Sequence, residues 1–239
     1  MNGCHKKIIY FGLGIPPAHE GVEWLLCPLI QIAPVDLGTE ELRRSRDVIL
    51  QTSSIVVTSK VAAGMLQALL SYHHIPLTTL QEKIFFSVGR ATTQALLASG
   101  WDRVITSPDE TQEGLATTIA AHVTSQDLLF WGHSGRARSY LGDFLRNLPC
   151  RTHTCMLYDT LLIPPDRPID LSAYDALFFT SPSSVHSFLQ HLALPPCHLV
   201  CISQGPITKG ALDAALPTSK KLLYSDMLPL FAHSLDNAL

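Results

Sequence analysis

The strongest constraint on this chain is a short pattern written twice. Ile55-Val56-Val57-Thr58-Ser59-Lys60-Val61 and Leu177-Phe178-Phe179-Thr180-Ser181-Pro182-Ser183-Ser184-Val185 each pass from a continuous apolar run, through Thr-Ser, into a helical pattern. A short unbroken apolar run bounded by polar residues reads as a strand covered on both faces. Val185, Phe188, Leu189 and Leu192 then fall at i, i+3, i+4 and i+7, one stripe of a helix. A second pair of blocks follows in each half. Gly89-Arg90-Ala91-Thr92-Thr93-Gln94-Ala95-Leu96 and Gly205-Pro206-Ile207-Thr208-Lys209-Gly210-Ala211-Leu212 share Gly, Thr, Ala and Leu at equal spacing. Two copies of two blocks in the same order predict a duplicated α/β unit. One register stays open, because Ser203-Gln204 lets either Ser203 or Gly205 be the counterpart of Gly89.

The rest of the chain keeps the alternation of strands and helices that implies parallel sheets. Strands are predicted at Lys7–Phe11, Cys27–Ile32, Ile84–Val88, Val104-Ile105, Asp127–Trp131, Thr154–Tyr158, Leu199–Ile202 and Leu222–Tyr224. Helices are predicted from the Thr39 cap to about Leu50, and over Val61–Leu70, Arg90–Ser99, Glu113–His122, Ser139–Leu148, Val185–Leu192, Thr208–Ala215 and Asp226–Leu239. Ala18–Leu26 reads as a helical turn or two. Thr160–Pro168, extended and proline-rich, reads as a linker.

Composition excludes several function classes. With 46% hydrophobic and 15% charged residues over 239 positions, the chain can bury a sizeable core. A net charge of -3 offers no basic surface for nucleic acid or an anionic membrane. No apolar run approaches the length of a membrane span, and Ile8–Ile15 is too short and too broken by glycine for a signal sequence. The six cysteines form no CxxC pair, which fits reduced thiols in the cytoplasm. The eleven histidines show no metal-ligand spacing, so no metal is expected. Without a Walker A motif or a GxGxxG fingerprint, no nucleotide cofactor is expected either. No exposed apolar helix face calls for a partner, and a monomer is expected.

The chemistry must therefore come from the turns. Each leaves the carboxyl end of a strand and enters a helix N-terminus, where free N–H groups and the helix dipole attract anions. Thr58, Ser59, Thr92, Thr180, Ser181, Ser183 and Thr208 add hydroxyls, and Lys60, Arg90, Arg136, Arg138 and Lys209 add charge nearby. The same Thr-Ser turns are equally explained, one at a time, as ordinary helix N-caps. It is the recurrence of both blocks that favours a shared surface for an anion with several carboxylates. Tyr158 ends a strand beside the predicted linker, and is either a packing residue or a catalytic acid. No Ser-His-Asp order, carboxylate pair or GxSxG elbow stands out.

Phe178-Phe179-Thr180-Ser181-Pro182-Ser183-Ser184-Val185, Val88-Gly89-Arg90-Ala91-Thr92, Gly135-Arg136, Tyr158-Asp159-Thr160 and Gly205-Pro206-Ile207-Thr208 resemble the corresponding blocks of uroporphyrinogen-III synthases, in the expected order over nearly the whole chain. The resemblance implies two similar parallel-sheet α/β domains side by side, joined by two extended linkers near 32–35 and 161–165. One domain would be discontinuous, 1–35 plus 166–239, and the other, 36–165, inserted into it. The implied reaction is cyclisation of hydroxymethylbilane, a linear tetrapyrrole, to uroporphyrinogen III, with loss of water and inversion of the last ring. The resemblance makes Tyr158 the catalytic residue. Thr92 and Thr208 become cleft threonines, and Ser59, Ser181 and Ser183 bind acetate or propionate arms. Thr58, Lys60, Gly89, Arg90, Arg136, Arg138, Thr180 and Gly205 complete the expected substrate-binding set. Two departures stand out. Gly12-Leu13-Gly14-Ile15-Pro16 replaces a stretch where relatives often carry Arg, and Ile207 replaces a usual Thr. The rivals are a non-catalytic two-domain binding or sensor protein for an anionic small molecule, and a flavodoxin-like nucleotide or flavin protein.

Overall fold

The computed structural model describes residues 5–226, so the closing helix expected at Asp226–Leu239 lies, but for its first residue, outside them. The chain divides into two compact units. A discontinuous unit takes Met1–Gln31 with Thr160–Leu239, and an inserted unit takes Ile32–Asp159. In chain order the elements begin with strands β1 (Lys6–Phe11), β2 (Val22–Leu26) and β3 (Ile30–Pro34). Helix α1 (Glu40–Gln51), β4 (Ser54–Val57), α2 (Lys60–Tyr72), β5 (Ile84–Ser87), α3 (Arg90–Ala98), β6 (Val104–Thr106) and α4 (Gln112–Ala120) follow. Then come β7 (Leu128–Ser134), α5 (Ser139–Arg146), β8 (Arg151–Leu162), β9 (Ala176–Phe179), α6 (Pro182–His191), β10 (Val200–Ser203), α7 (Pro206–Ala215) and β11 (Lys220–Leu223).

The inserted unit is built on a six-stranded sheet of order β3-β8-β7-β4-β5-β6. All four residues of β4 are buried, as its unbroken apolar run requires. Alternation splits them between two cores. Ile55 and Val57 join Phe85, Phe130, Leu66 and Leu69 on one face, while Val56 joins Phe86, Leu129, Leu115, Ile119, Leu141 and Leu145 on the other. Helices therefore cover both faces, which is why the strands carry no polar alternation. Thr39 caps α1 by accepting from Leu42 N, with Glu40 and Glu41 in the first turn where the helix dipole favours them.

The discontinuous unit has a five-stranded sheet of order β11-β10-β9-β1-β2, parallel throughout. Ile9, Phe11, Leu177, Phe179 and Cys201 pack one face against Val185 and Phe188 of α6 and Leu212 of α7. Ile8, Tyr10, Phe178, Val200 and Ile202 form the other face with Trp24 and Tyr224. Set β9, β10, β11, β1 and β2 over β4, β5, β6, β7 and β8, and the two strand orders coincide. The units are thus one architecture in two chain orders, related by a circular permutation, with β3 as an addition to the inserted one.

Three local expectations are corrected. The helical turn expected at Ala18–Leu26 is instead strand β2, paired with β1 through Ile8↔Trp24 and its neighbours. Tertiary contact decides it, because the Trp24 ring packs on Tyr10 and Phe178 at centroid distances of 5.9 and 5.7 Å. β8 is longer than the apolar run Thr154–Tyr158. Of the segments expected as linkers, 32–34 belong to β3 and 161–162 to the end of β8, while 163–165 are outside any strand. Val35 N donates to Leu157 O and Ile163 N to Leu29 O, so these segments run antiparallel.

Candidate active site

Parallel strands all end on the same edge of their sheet, and that edge is where the marked residues of each unit collect. In the inserted unit β4 ends at Val57, Thr58 is half-buried, and Ser59 caps α2 by accepting from Ala62 N at 2.9 Å. In the discontinuous unit β9 ends at Phe179, and Ser181 caps α6 by accepting from Ser184 N at 3.2 Å. Ser184 Oγ accepts from Ser181 N in return, closing a capping box. The two cap serines have nearly the same backbone, φ -163° and ψ 159° for Ser59 against φ -158° and ψ 159° for Ser181. Thr180 donates its hydroxyl to Phe11 O at 3.2 Å, which ties this turn to β1. Ser183 is half-buried in the first turn of α6, and Lys60 is exposed at the first position of α2.

The second pair of turns resolves the open register. β5 ends at Ser87 and β10 at Ser203, both fully buried, and Gly89 and Gly205 are the N-caps of α3 and α7. Gly205 is therefore the counterpart of Gly89, and Ser203 that of Ser87. Thr92 and Thr208 occupy the same third helical position and are each 5% exposed. Neither glycine supplies a side-chain cap; Arg90 N donates instead to Glu110 Oε1 at 3.4 Å and Thr92 N to Gly89 O at 3.1 Å, and Pro206 has no N–H, which leaves the amides of Ala91 and Ile207 for a ligand. The backbone of Gly89 is extended (φ 177°), so its need is for room rather than for a left-handed conformation. A Cβ there would lie 3.0 Å from Cγ of Glu110.

Two of the expected arginines already hold carboxylates of the chain itself. Arg90 Nε donates to Glu110 Oε1 at 2.9 Å, and Glu110 sits at φ 50°. Arg138 makes a two-pronged contact with Glu113, at 2.8 and 3.0 Å, and this guanidinium hydrogen bond holds the Glu113 carboxyl below its usual range. Both arginines thus have the geometry to bind a carboxylate. Arg136 is exposed, and its backbone N donates to Ser134 Oγ at 3.2 Å. A cavity of about 170 Å³ opens beside this loop, lined by Trp131, His133, Ser134, Arg138, Ser139 and Arg146. That is room for a carboxylate arm, well short of the volume a drug-sized ligand needs.

Tyr158 meets another marked side chain directly, Ser59. Its ring is buried at 6% exposure in the core of the inserted unit, and its Oη lies 2.9 Å from Ser59 Oγ. Ser134 stands opposite it in the β7–β8 register, and Gly135 N donates to Tyr158 O at 2.9 Å. Burial pushes the phenol pKa above its ordinary value, and the two serine hydroxyls work against that rise. The group is therefore a neutral hydrogen-bond donor near pH 7.

Thr58, Ser59, Lys60, Gly89, Arg90, Thr92, Arg136, Arg138 and Tyr158 belong to the inserted unit, and Thr180, Ser181, Ser183, Gly205 and Thr208 to the discontinuous one. Sequence reasoning missed Ser134, Glu110 and Glu113. Burial pushes the Cys27, Cys155 and Cys201 thiols up to about 11, so they are protonated and poor nucleophiles. Among the described residues no group of His, Cys, Asp and Glu is placed to hold a metal ion, and no helix is long and apolar enough to cross a membrane.

The fold has solved counterparts. Uroporphyrinogen III synthase of Thermus thermophilus, as a mutant, superposes with a TM-score of 0.66 at 17% identity, covering 98% of each chain. Uroporphyrinogen-III synthetase of Helicobacter pylori does so with a TM-score of 0.64 at 16% identity, covering 98% of this chain and 100% of the other. The wild-type Thermus thermophilus protein in another crystal form gives 0.53 at 17% identity, over 91% of each chain. No curated protein matches the chain in sequence. The family model described as uroporphyrinogen-III synthase HemD matches residues 18–218, well over half the chain. On that match, the chain belongs to the uroporphyrinogen-III synthase family.

Proposed function

We propose that the protein cyclises hydroxymethylbilane to uroporphyrinogen III, losing water and inverting the last pyrrole ring, with Tyr158 as the catalytic residue. The family match supports the reaction, and one observation carries the residue assignment. A buried, neutral phenol is held against Ser59 at the edge where the ligand turns of its sheet collect.

The chemistry asks for little machinery. The electron-rich pyrrole expels its own hydroxyl to leave an azafulvene cation, and one hydrogen-bond donor suffices to help the hydroxyl depart. The phenol of Tyr158 supplies that donor. The harder task is to fold the linear chain so that the last ring attacks through its substituted carbon, which is a matter of positioning. Thr58, Ser59, Lys60, Gly89, Arg90, Thr92, Arg136 and Arg138, with Thr180, Ser181, Ser183, Gly205 and Thr208, hold the acetate and propionate arms through hydroxyls, guanidinium groups and open helix amides. No cofactor enters this scheme. The protein works as a cytoplasmic monomer of two domains, 1–35 plus 166–239 and 36–165, on a small-molecule substrate.

The test is incubation with freshly prepared hydroxymethylbilane, oxidation of the products and separation of the uroporphyrin isomers. The enzyme yields the III isomer. A mixture matching the protein-free control, dominated by the I isomer of spontaneous closure, would overturn the proposal.

A further inference from the structure

The two units share a strand order but differ beside one strand. β2 stands where β8 stands in the other unit. The bonds from Val35 N to Leu157 O and from Ile163 N to Leu29 O match, which sets Leu29 over Leu157 and, two residues earlier, Cys27 over Cys155. Both cysteines are buried. In the inserted unit the chain that follows β3 forms α1, and this helix covers Cys155. Glu41 Oε1 lies 3.8 Å from Cys155 Sγ, and Ser45 Oγ lies 3.0 Å from His153 Nε2. In the discontinuous unit the chain that follows β8 builds no such helix, only the short 3₁₀ turn Leu171–Ala173 before β9. A cavity of about 280 Å³ is left beside Cys27. Leu25, Leu26, Pro28 and Ile169 wall it with aliphatic carbon, and Asp166 and Arg167 bring charge to it.

The place, charge and size of this cavity bear on the substrate. β2 runs parallel to β1 and ends at Leu26, so the cavity lies at the carboxyl edge of its sheet, the edge that also carries Thr180, Ser181, Gly205 and Thr208. Those four residues are uncharged, and a substrate with many carboxylates gains from a cation beside them. Arg167 is exposed and makes no ion pair with a described carboxylate. The volume falls just short of the roughly 300–1,000 Å³ in which small-molecule ligands are held whole. It suits one ring of a tetrapyrrole with its arms, not four.

We propose that this cavity holds one pyrrole ring of hydroxymethylbilane, with Arg167 binding the carboxylate of one of its arms. The aliphatic walls cover the ring, and the guanidinium takes the carboxylate in its two-pronged geometry. Asp166 accepts a hydrogen bond from the pyrrole N–H. A plain anion would be repelled by Asp166, whereas a ring with an N–H and a carboxylate arm has a partner for each charge. The inference rests on the reading of the protein as the cyclising enzyme. It adds a binding residue in the discontinuous unit and names the part of the substrate held there.

The probe is a monopyrrole bearing one acetate and one propionate arm, titrated calorimetrically into the full chain. The unaltered chain should bind it. Arg167→Gln should weaken that binding roughly five- to twentyfold, and Arg167→Lys, which keeps the charge without the fork, should fall between. Leu26→Trp, which crowds the cavity from its rim, should abolish binding. Leu26 and Arg167 are both exposed, so these variants keep the fold, and a urea unfolding curve checks that they do. In turnover, Arg167→Gln should raise KM for hydroxymethylbilane by about the same factor and leave kcat within about twofold, because the ring is held alike in substrate and transition state. Arg103→Gln removes an exposed charge paired with Glu82 and controls for net charge; its KM should stay within about twofold of the unaltered value. No binding of the monopyrrole to the unaltered chain, equal binding in Arg167→Gln or Leu26→Trp, or an unchanged KM in Arg167→Gln would overturn the proposal. Failure of the underlying reading looks different. The unaltered chain would then leave hydroxymethylbilane to close to the I isomer, whether or not the monopyrrole binds through Arg167.

Discussion

Replacing Tyr158 by Phe tests the proposed catalytic role of the phenol apart from its packing. The ring stays in the inserted unit's core beside Leu157 and Cys155, so no cavity forms. What goes is one oxygen, with its hydrogen bond to Ser59. Neutral hydrogen bonds contribute about 1 kcal/mol each, and the buried oxygen no longer has to be desolvated. The cost to stability is therefore at most about 2 kcal/mol, or a fall in Tm of roughly 4–8 °C in a chain of this size. Loss of a positioned proton donor costs turnover about 10²- to 10⁴-fold, which is about 3–5 kcal/mol of barrier. Turnover should thus fall by orders of magnitude in a protein that remains folded at assay temperature. The assay is the initial rate of III-isomer formation from hydroxymethylbilane, run beside a urea unfolding curve. A rate within threefold of the unaltered protein would refute the donor role. A rate loss matched by loss of the folded fraction would refute the argument that the phenol acts beyond packing.

Other expectations are read from packing and charge. Gly12→Ala would place a Cβ 2.4 Å from Tyr10 Cε1 and 2.6 Å from Thr180 Cγ2, and the Tyr10 ring cannot yield because it stacks on Phe178. Destabilisation of about 1–3 kcal/mol follows, visible as a lower urea midpoint. Phe179 is fully buried between Phe11 and Phe188, with ring centroids at 5.0 and 5.4 Å. Phe179→Ala should cost about 3–5 kcal/mol by the same measurement, more than any surface change. Acid should destabilise the protein through Asp127, held below the usual carboxylate range first by the Thr124 amide and then by the Ser53 hydroxyl, and through Glu113, held low first by its hydrogen bond from Arg138. Depressed carboxyl groups contribute stability above their unfolded-state values of about 4, and that stability is lost as pH falls through the folded values. The urea midpoint should therefore drop from about pH 5 downward, through the unfolded-state values and on through the lower folded ones, and Asp127→Asn should flatten the drop.

The parts of this molecule legible in its sequence are those governed by local chemistry. Thr58-Ser59 and Thr180-Ser181 announce a strand end and a helix cap in adjacent residues, and the structure gives both serines that role with almost identical dihedral angles. Gly89 and Gly205 were visible as a pair, but their register against Ser203 needed the strand ends to settle it. What stayed hidden depends on partners distant in the chain. β2 lies in Ala18–Leu26, which reads as a helical turn or two, and the Tyr10 and Phe178 rings across the sheet hold Trp24 in a strand. Ser134 carries no motif, and only the β7–β8 register brings it opposite Tyr158. Glu110 reads as part of a polar loop and Glu113 as the start of a helix until the structure closes them onto Arg90 and Arg138.

The circular permutation between the units sets a schedule for synthesis. β1 and β2 leave the ribosome first, yet β1 acquires its other neighbour, β9, only after the whole inserted unit has been made. The hydrogen bond from Lys7 N to Asp175 spans 168 residues. At about 5–20 residues per second this is a wait of roughly ten to thirty seconds. By its end the inserted unit has every strand it needs, while the other still holds two strands with an unpaired apolar edge, the situation that invites wrong pairing. Equal losses of stability should therefore have unequal effects in the cell. A substitution in β1 or β9 lowers the yield of native protein more than one of the same cost in β4 or β7, because the first prolongs a vulnerable half-sheet and the second weakens a domain already closed.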